Sequence, residues 1–195
     1  MRIGVLALSA VVAVLPAPVT FQAPEPLAVE RPFAKAGQLH LDLSAGDYTI
    51  RGAIEDRILV RMEARDRADL ARAHADISVN GSAGSVRVRG PKNHFRVQID
   101  VPTRTDLTLD LSAGDLKIRG IEGNKTLDMW AGDVTIEVGD PAQYRRVDAS
   151  VRFGEITSRP FSASKGGIFR SFSWDGIGQY TLRAKLFAGD LKLDR

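Results

Sequence analysis

Two dodecapeptides, LDLSAGDYTIRG at residues 41–52 and LDLSAGDLKIRG at residues 109–120, differ only at Tyr48/Leu116 and Thr49/Lys117. Aligned on the glycine, KTLDMWAGDVTI adds Gly132-Asp133, RRVDASVRFGEIT adds Gly154-Glu155, and TLRAKLFAGDLKL adds Gly189-Asp190. A weaker copy, DISVNGSAGSVRV, carries Gly84-Ser85. Three residues before the glycine stand Leu43, Leu111, Met129, Val151 and Leu186. Five before it stand Leu41, Leu109, Leu127, Ala149 and Ala184. Apolar residues spaced by two are the pattern of a strand with one buried face. The alternation resumes after the corner in Leu116/Ile118, Val134/Ile136 and Leu191/Leu193. Each unit therefore reads as strand, tight corner, strand. Glycine tolerates a positive φ at the corner, and the acidic residue after it can accept from nearby backbone amides.

Two architectures fit such units. Each is either a β-hairpin or one corner of a parallel solenoid whose rungs stack in register. The near-identity of the glycines and apolar columns favours the solenoid. The fold expected is all-β: a single-domain parallel β-solenoid, β-helix-like, over residues 38–195. The alanine-rich, charged stretch EARDRADLARAHAD predicts a short helical insert near 63–76. KGGIFRSFSWDGIGQ (165–179) reads as an irregular rung or end cap.

The first residues read as an address. Arg2 precedes the apolar run IGVLALSAVVAVL (3–15), and PAPVTFQAPEP follows it. This resembles a signal peptide over 1–23, with Ala17 and Ala23 as candidate cleavage positions and a linker over 24–37. The run is short for a membrane span, although an uncleaved anchor stays open. The expected destination is the periplasm or the cell surface. The mature chain is not expected to span a membrane. No cysteine is present, which excludes disulfides, thiolate metal sites and cysteine catalysis. A net charge of +3 is too balanced to point to a nucleic-acid partner.

At IDVPTRTDLTLDLSAGDLKIRG (99–120) and GIGQYTLRAKLFAGDLKLDR (176–195) the chain resembles the bacterial DUF4097 β-strand-repeat, adhesin-like, family. The resemblance spans roughly residues 38–195. It implies an exported or envelope-associated β-solenoid without an established enzymatic activity, and supplies no catalytic residues.

Several side chains invite a chemical role. Asp47, Asp115, Asp133, Glu155 and Asp190 form one acidic column, and Asp42, Asp110 and Asp128 another. Stacked carboxylates suit calcium, but the sequence lacks a Gly-Gly-x-Gly-x-Asp repeat, so turn chemistry is the simpler reading and no metal is expected. Arg51, Arg89 and Arg119 recur beside these acids. They either neutralise neighbouring strands or form a polyanion-binding stripe. His40, His74 and His94 lie in unrelated contexts, with no nucleophile motif or phosphate loop around them. An enzyme is therefore not expected, nor a cofactor; a carbohydrate-active enzyme on a short β-helix is the remaining catalytic alternative.

One column breaks the polar habit. Where the first copies carry Ser44 and Ser112, later ones carry Trp130, Arg152 and Phe187. Such outward residues are either covered by the aromatic stretch holding Phe169, Phe172 and Trp174 or exposed for contact. Arginine and aromatic residues dominate binding hot spots, so Trp130, Arg152 and Phe187 are the candidate binding residues, with Trp130 and Arg152 expected on adjacent rungs. The partner expected is an envelope protein or a surface polymer. Function is thus expected to be that of an envelope scaffold or interaction module, with an adhesin-like polymer-binding module as the alternative.

Overall fold

The computed structural model describes residues 26–195, apart from the side chains of residues 163, 165 and 169. The expected signal peptide lies outside the described residues. In chain order the strands are β1 Leu27–Pro32, β2 Gly37–Leu43, β3 Asp47–Ala53 and β4 Arg57–Glu63. A single helical turn, α1 Arg67–Leu70, precedes β5 His74–Asn80, β6 Ala83–Arg89, β7 Arg96–Pro102, β8 Thr105–Ala113 and β9 Leu116–Arg119. The chain ends with β10 Lys125–Ala131, β11 Val134–Glu137, β12 Tyr144–Ser158, β13 Ala163–Asp175, β14 Tyr180–Ala188 and β15 Leu191–Asp194.

All the strands belong to one 15-stranded sheet, in the order β1-β4-β7-β3-β9-β11-β15-β12-β14-β10-β8-β2-β6-β5, with β13 pairing β12. The glycine-cornered pairs β2/β3, β8/β9, β10/β11 and β14/β15 cross from one wall of this sheet to the other. The long β12 runs through both walls, pairing β14 with its first half and β15 with its second. At the far side β1 lies against β5, so the sheet is a nearly closed barrel.

The expectation of a parallel solenoid is overturned by the pairing. The middle of the sheet is parallel, but β1–β4, β4–β7, β5–β6 and β12–β13 are antiparallel, which makes the sheet mixed. The repeat specifies only the rungs that carry it. In the weaker copy Gly84-Ser85 lies inside β6 instead of at a corner; there the turn Asn80-Gly81-Ser82-Ala83, like residues 159–162 after β12, returns the chain beside the strand it has just left, and such a turn can join only antiparallel neighbours.

Two smaller expectations are also corrected. Of the helical insert at 63–76 only Arg67–Leu70 is helical, capped by Asp66, whose carboxylate accepts from the Asp69 amide. Residues from His74 onward pair with β6 and bury Ala75, so sheet hydrogen bonds prevail over alanine's helical preference. The linker at 24–37 contributes structure, because Leu27–Pro32 pairs with β4 and Phe33 is buried over Gly37 and Gly84.

The core is built of in-register columns. Leu41, Leu109, Leu127 and Ala184 form one, Leu43, Leu111, Met129 and Leu186 the next, and Ile50, Ile118, Ile136 and Leu193 a third on the opposite wall. All are buried in one continuous cluster. Each leucine so buried contributes on the order of 2 kcal/mol.

The corners stack as well. The amide of Gly46 donates to the Ala113 carbonyl at 2.9 Å, Gly114 to Ala131 at 3.0 Å, Gly132 to Ala188 at 2.9 Å and Gly189 to Phe153 at 2.9 Å. A Cβ on Gly114 would lie 2.0 Å from the Gly46 carbonyl oxygen, and one on Gly132 or Gly189 equally close to the preceding glycine of the ladder. Their φ angles, 121° to 127°, add backbone strain for any other residue. This is why the same sentence recurs: only glycine lets one corner rest on the next.

Candidate interaction surface

The corner ladder places one outward column side by side across five strands. Register sets Ser44 beyond the end of β2 next to Ser112 of β8, then Trp130 of β10, Phe187 of β14 and Arg152 of β12. The Trp130 and Phe187 rings stack with centroids 4.0 Å apart and planes 4° from parallel. The Arg152 guanidinium carbon lies 5.3 Å from the Phe187 centroid and 5.9 Å from that of Phe153. Phe153 meets Phe187 edge to face at 5.5 Å. These geometries are within reach of aromatic stacking and cation–π attraction.

Trp130, Phe187 and Arg152 thus meet in one strip, but not in the expected order. Trp130 and Arg152 are not on adjacent strands, because β14 enters the sheet between β10 and β12 and puts Phe187 between them. Trp130 itself is not covered by the aromatic stretch. Phe172 is buried, and Trp174 packs against Phe161 at 4.7 Å, whereas Trp130 keeps 62% of its surface exposed. The Phe169 side chain lies outside the described residues. Sequence reasoning missed Phe153, 43% exposed, and Ile168, 57% exposed and opposite it in register. A signal for Phe153 existed: it occupies the column of Ala45, Ala113, Ala131 and Ala188.

Several members of the acidic columns are engaged in structure. The Asp133 carboxylate accepts from the Asp190 amide at 3.1 Å, and Asp190 from the Glu155 amide at 2.9 Å. Asp42 accepts from Arg89 at 2.6 Å and Arg87 at 3.1 Å, and hydrogen bonding by Arg89 holds its carboxyl below the usual range. Burial would push Asp100 up, but Arg51, Arg61 and Gln98 hold it down, at 2.9, 2.6 and 3.1 Å. His40 Nε2 sits 3.6 Å from Asp110 and His74 Nε2 3.0 Å from Asp76. Among the described residues no group of three or more histidines and carboxylates is gathered around a common point.

Sequence reasoning also missed Lys125. It is buried in register with Leu107 and Leu182, and its ammonium donates to the Tyr144 hydroxyl at 2.8 Å and to the Gly123 carbonyl at 3.2 Å. Burial pulls its pKa down to about 8, against the opposing pull of Asp106 and Glu122.

No protein-family model matches this chain, and no curated protein matches it. Among solved structures, a "putative cell adhesion protein" from Clostridium sporogenes superposes with a TM-score of 0.52 at 13% identity, over 87% of this chain and 99% of that one. The likeness is one of fold. A "putative adhesin" from Bacteroides fragilis aligns over 87% of this chain and 97% of its own, at 8% identity and a TM-score of 0.31, too low to carry an inference.

Proposed function

We propose that this chain is an exported, non-enzymatic interaction module of the bacterial envelope, of the DUF4097 type, residing in the periplasm or on the cell surface. Its contact surface is the strip Trp130–Phe187–Arg152, extended by Phe153. The observation that carries this reading is the exposed, stacked Trp130 on a parallel wall whose other outward columns are almost wholly polar. Flat aromatic side chains lose little conformational entropy on binding, and with a guanidinium they present apolar area together with a donor fork. The fold shared with a protein named for cell adhesion supports a binding role.

The test is saturable binding of the purified protein to isolated cell envelopes of its own host. Trp130→Ala is expected to weaken binding by more than about tenfold, equivalent to about 1.4 kcal/mol, with little change in Tm. Unchanged binding, or a loss matched by a falling Tm, would make Trp130 a packing residue.

A further inference from the structure

The aromatic ladder stops after two members, although the column it occupies continues. Phe187 covers one face of Trp130, so the indole stands upright on the wall with its other face turned toward β8 and β2. The residues in line on those strands are Ser112 and Ser44, too short to reach the height of the ring. Beyond Ser44 stands Arg89 of β6, drawn down by its bonds to the Asp42 carboxylate and the Asp42 and Val88 carbonyls. The Ser44 Oγ is itself buried, so the interval open beside the free indole face is the one over the exposed Ser112, about 5 Å, one strand spacing. Trp130 and Phe187 show that a ring on each strand stacks well at this spacing. The open interval has room for one more flat ring.

The surroundings select the chemistry of that ring. Two residues back along the same strands, about 7 Å away, the wall presents Asp110 and Asp128 side by side, with His40 against Asp110, Asp42 beyond them taken up by Arg87 and Arg89, and Lys185 next in register after Asp128. Carboxylates accept strong hydrogen bonds from hydroxyl groups and repel phosphates, sulfates and uronates. The free indole face takes an apolar ring face, and the carboxylate row takes a rim of hydroxyls. A hexopyranose has both, with axial C–H groups on its face and hydroxyls on its edge. We propose that the slot over Ser112 binds a neutral glycan, stacking a pyranose ring on Trp130 while its hydroxyls donate hydrogen bonds to Asp110 and Asp128. This rests on the reading of the aromatic strip as a contact surface and names the ligand class for it.

The chain has two tryptophans, so Trp174→Phe leaves Trp130 as the sole indole reporter. In that background we expect chitohexaose or cellohexaose to shift Trp130 fluorescence saturably, and polygalacturonate to leave it unchanged. Ser112→Phe, which fills the slot from an exposed position without adding an indole, is expected to weaken the titration by more than about tenfold while Tm holds. Asp110→Asn with Asp128→Asn is expected to weaken it without altering the emission of the free protein. No saturable shift with either neutral oligosaccharide, a response confined to polygalacturonate, or binding indifferent to Ser112→Phe would each overturn the glycan slot. If the glycan arms fail while Trp130→Ala still abolishes envelope binding, the strip remains a contact surface for a protein. If envelope binding is also indifferent to Trp130→Ala, the functional reading falls with the slot.

Discussion

The ammonium of Lys125 and the phenol of Tyr144 meet at 2.8 Å inside the barrel, at a level where the flanking strands carry Leu107 and Leu182. Folding lowers the lysine pKa from 10.5 to about 8. Between these values the unfolded chain binds more protons than the folded one, so stability rises with pH from about 8 toward 10. The full effect is on the order of 3 kcal/mol. Above pH 10 the sign reverses. Burial raises the Tyr144 phenol and pushes Tyr48 up to about 12, so ionisation then favours the unfolded chain. Urea unfolding across pH 7 to 11 is expected to show a maximum near pH 10. Lys125→Met is expected to remove the rising limb and keep the falling one. A flat wild-type profile between pH 8 and 10 would mean that Lys125 is hydrated.

The corner ladder separates two kinds of glycine. Gly114 combines a φ of 123° with a carbonyl 2.0 Å from the place of a Cβ, whereas Gly81 has a φ of 60° and nothing within 4 Å. Gly114→Ala is expected to cost more than about 3 kcal/mol, because both backbone strain and displacement of a neighbouring rung are incurred. Gly81→Ala is expected to cost about 1 kcal/mol, the price of the left-handed conformation alone. Similar losses at both sites, measured by chemical denaturation, would show that the rungs slide apart freely.

Asp133 and Asp190 use their carboxylates on backbone amides. Calcium is accordingly expected to leave Tm unchanged, since a ligand specific to the folded state must raise it. Asp133→Asn, which keeps an acceptor oxygen, is expected to cost less than about 1 kcal/mol. A calcium-dependent rise in Tm that is lost in Asp115→Asn/Asp133→Asn would identify the ladder as an ion site.

Local order was legible in the sequence wherever a column repeats. Leu43, Leu111, Met129 and Leu186 announce an inward face, and Gly114 and Gly132 announce stacked corners, because both depend on spacing within one unit. Pairing direction at the margins was not legible. It follows from turns such as Asn80–Ala83, which lies inside the weaker copy but turns before Gly84, so that this glycine is a strand residue of β6 and not a corner. Strand order was equally hidden: Phe187 follows Arg152 in the chain but lies between Arg152 and Trp130 in space. Lys125 escaped notice because its charge suggests an outward residue, while its place in the alternation, two before Leu127, puts it inside.

The glycine ladder has a consequence for how such a chain can change over generations. Carbonyl contact at Gly114, Gly132 and Gly189 fixes the height and phase of each rung without reference to what the neighbouring outward residue is. Serine, tryptophan, phenylalanine and arginine already occupy that one outward column on a common frame. Point substitutions there can exchange one specificity for another while foldability is untouched. Lengthening, by contrast, is quantised, since only an added strand–glycine–strand unit restores the contact on both of its sides.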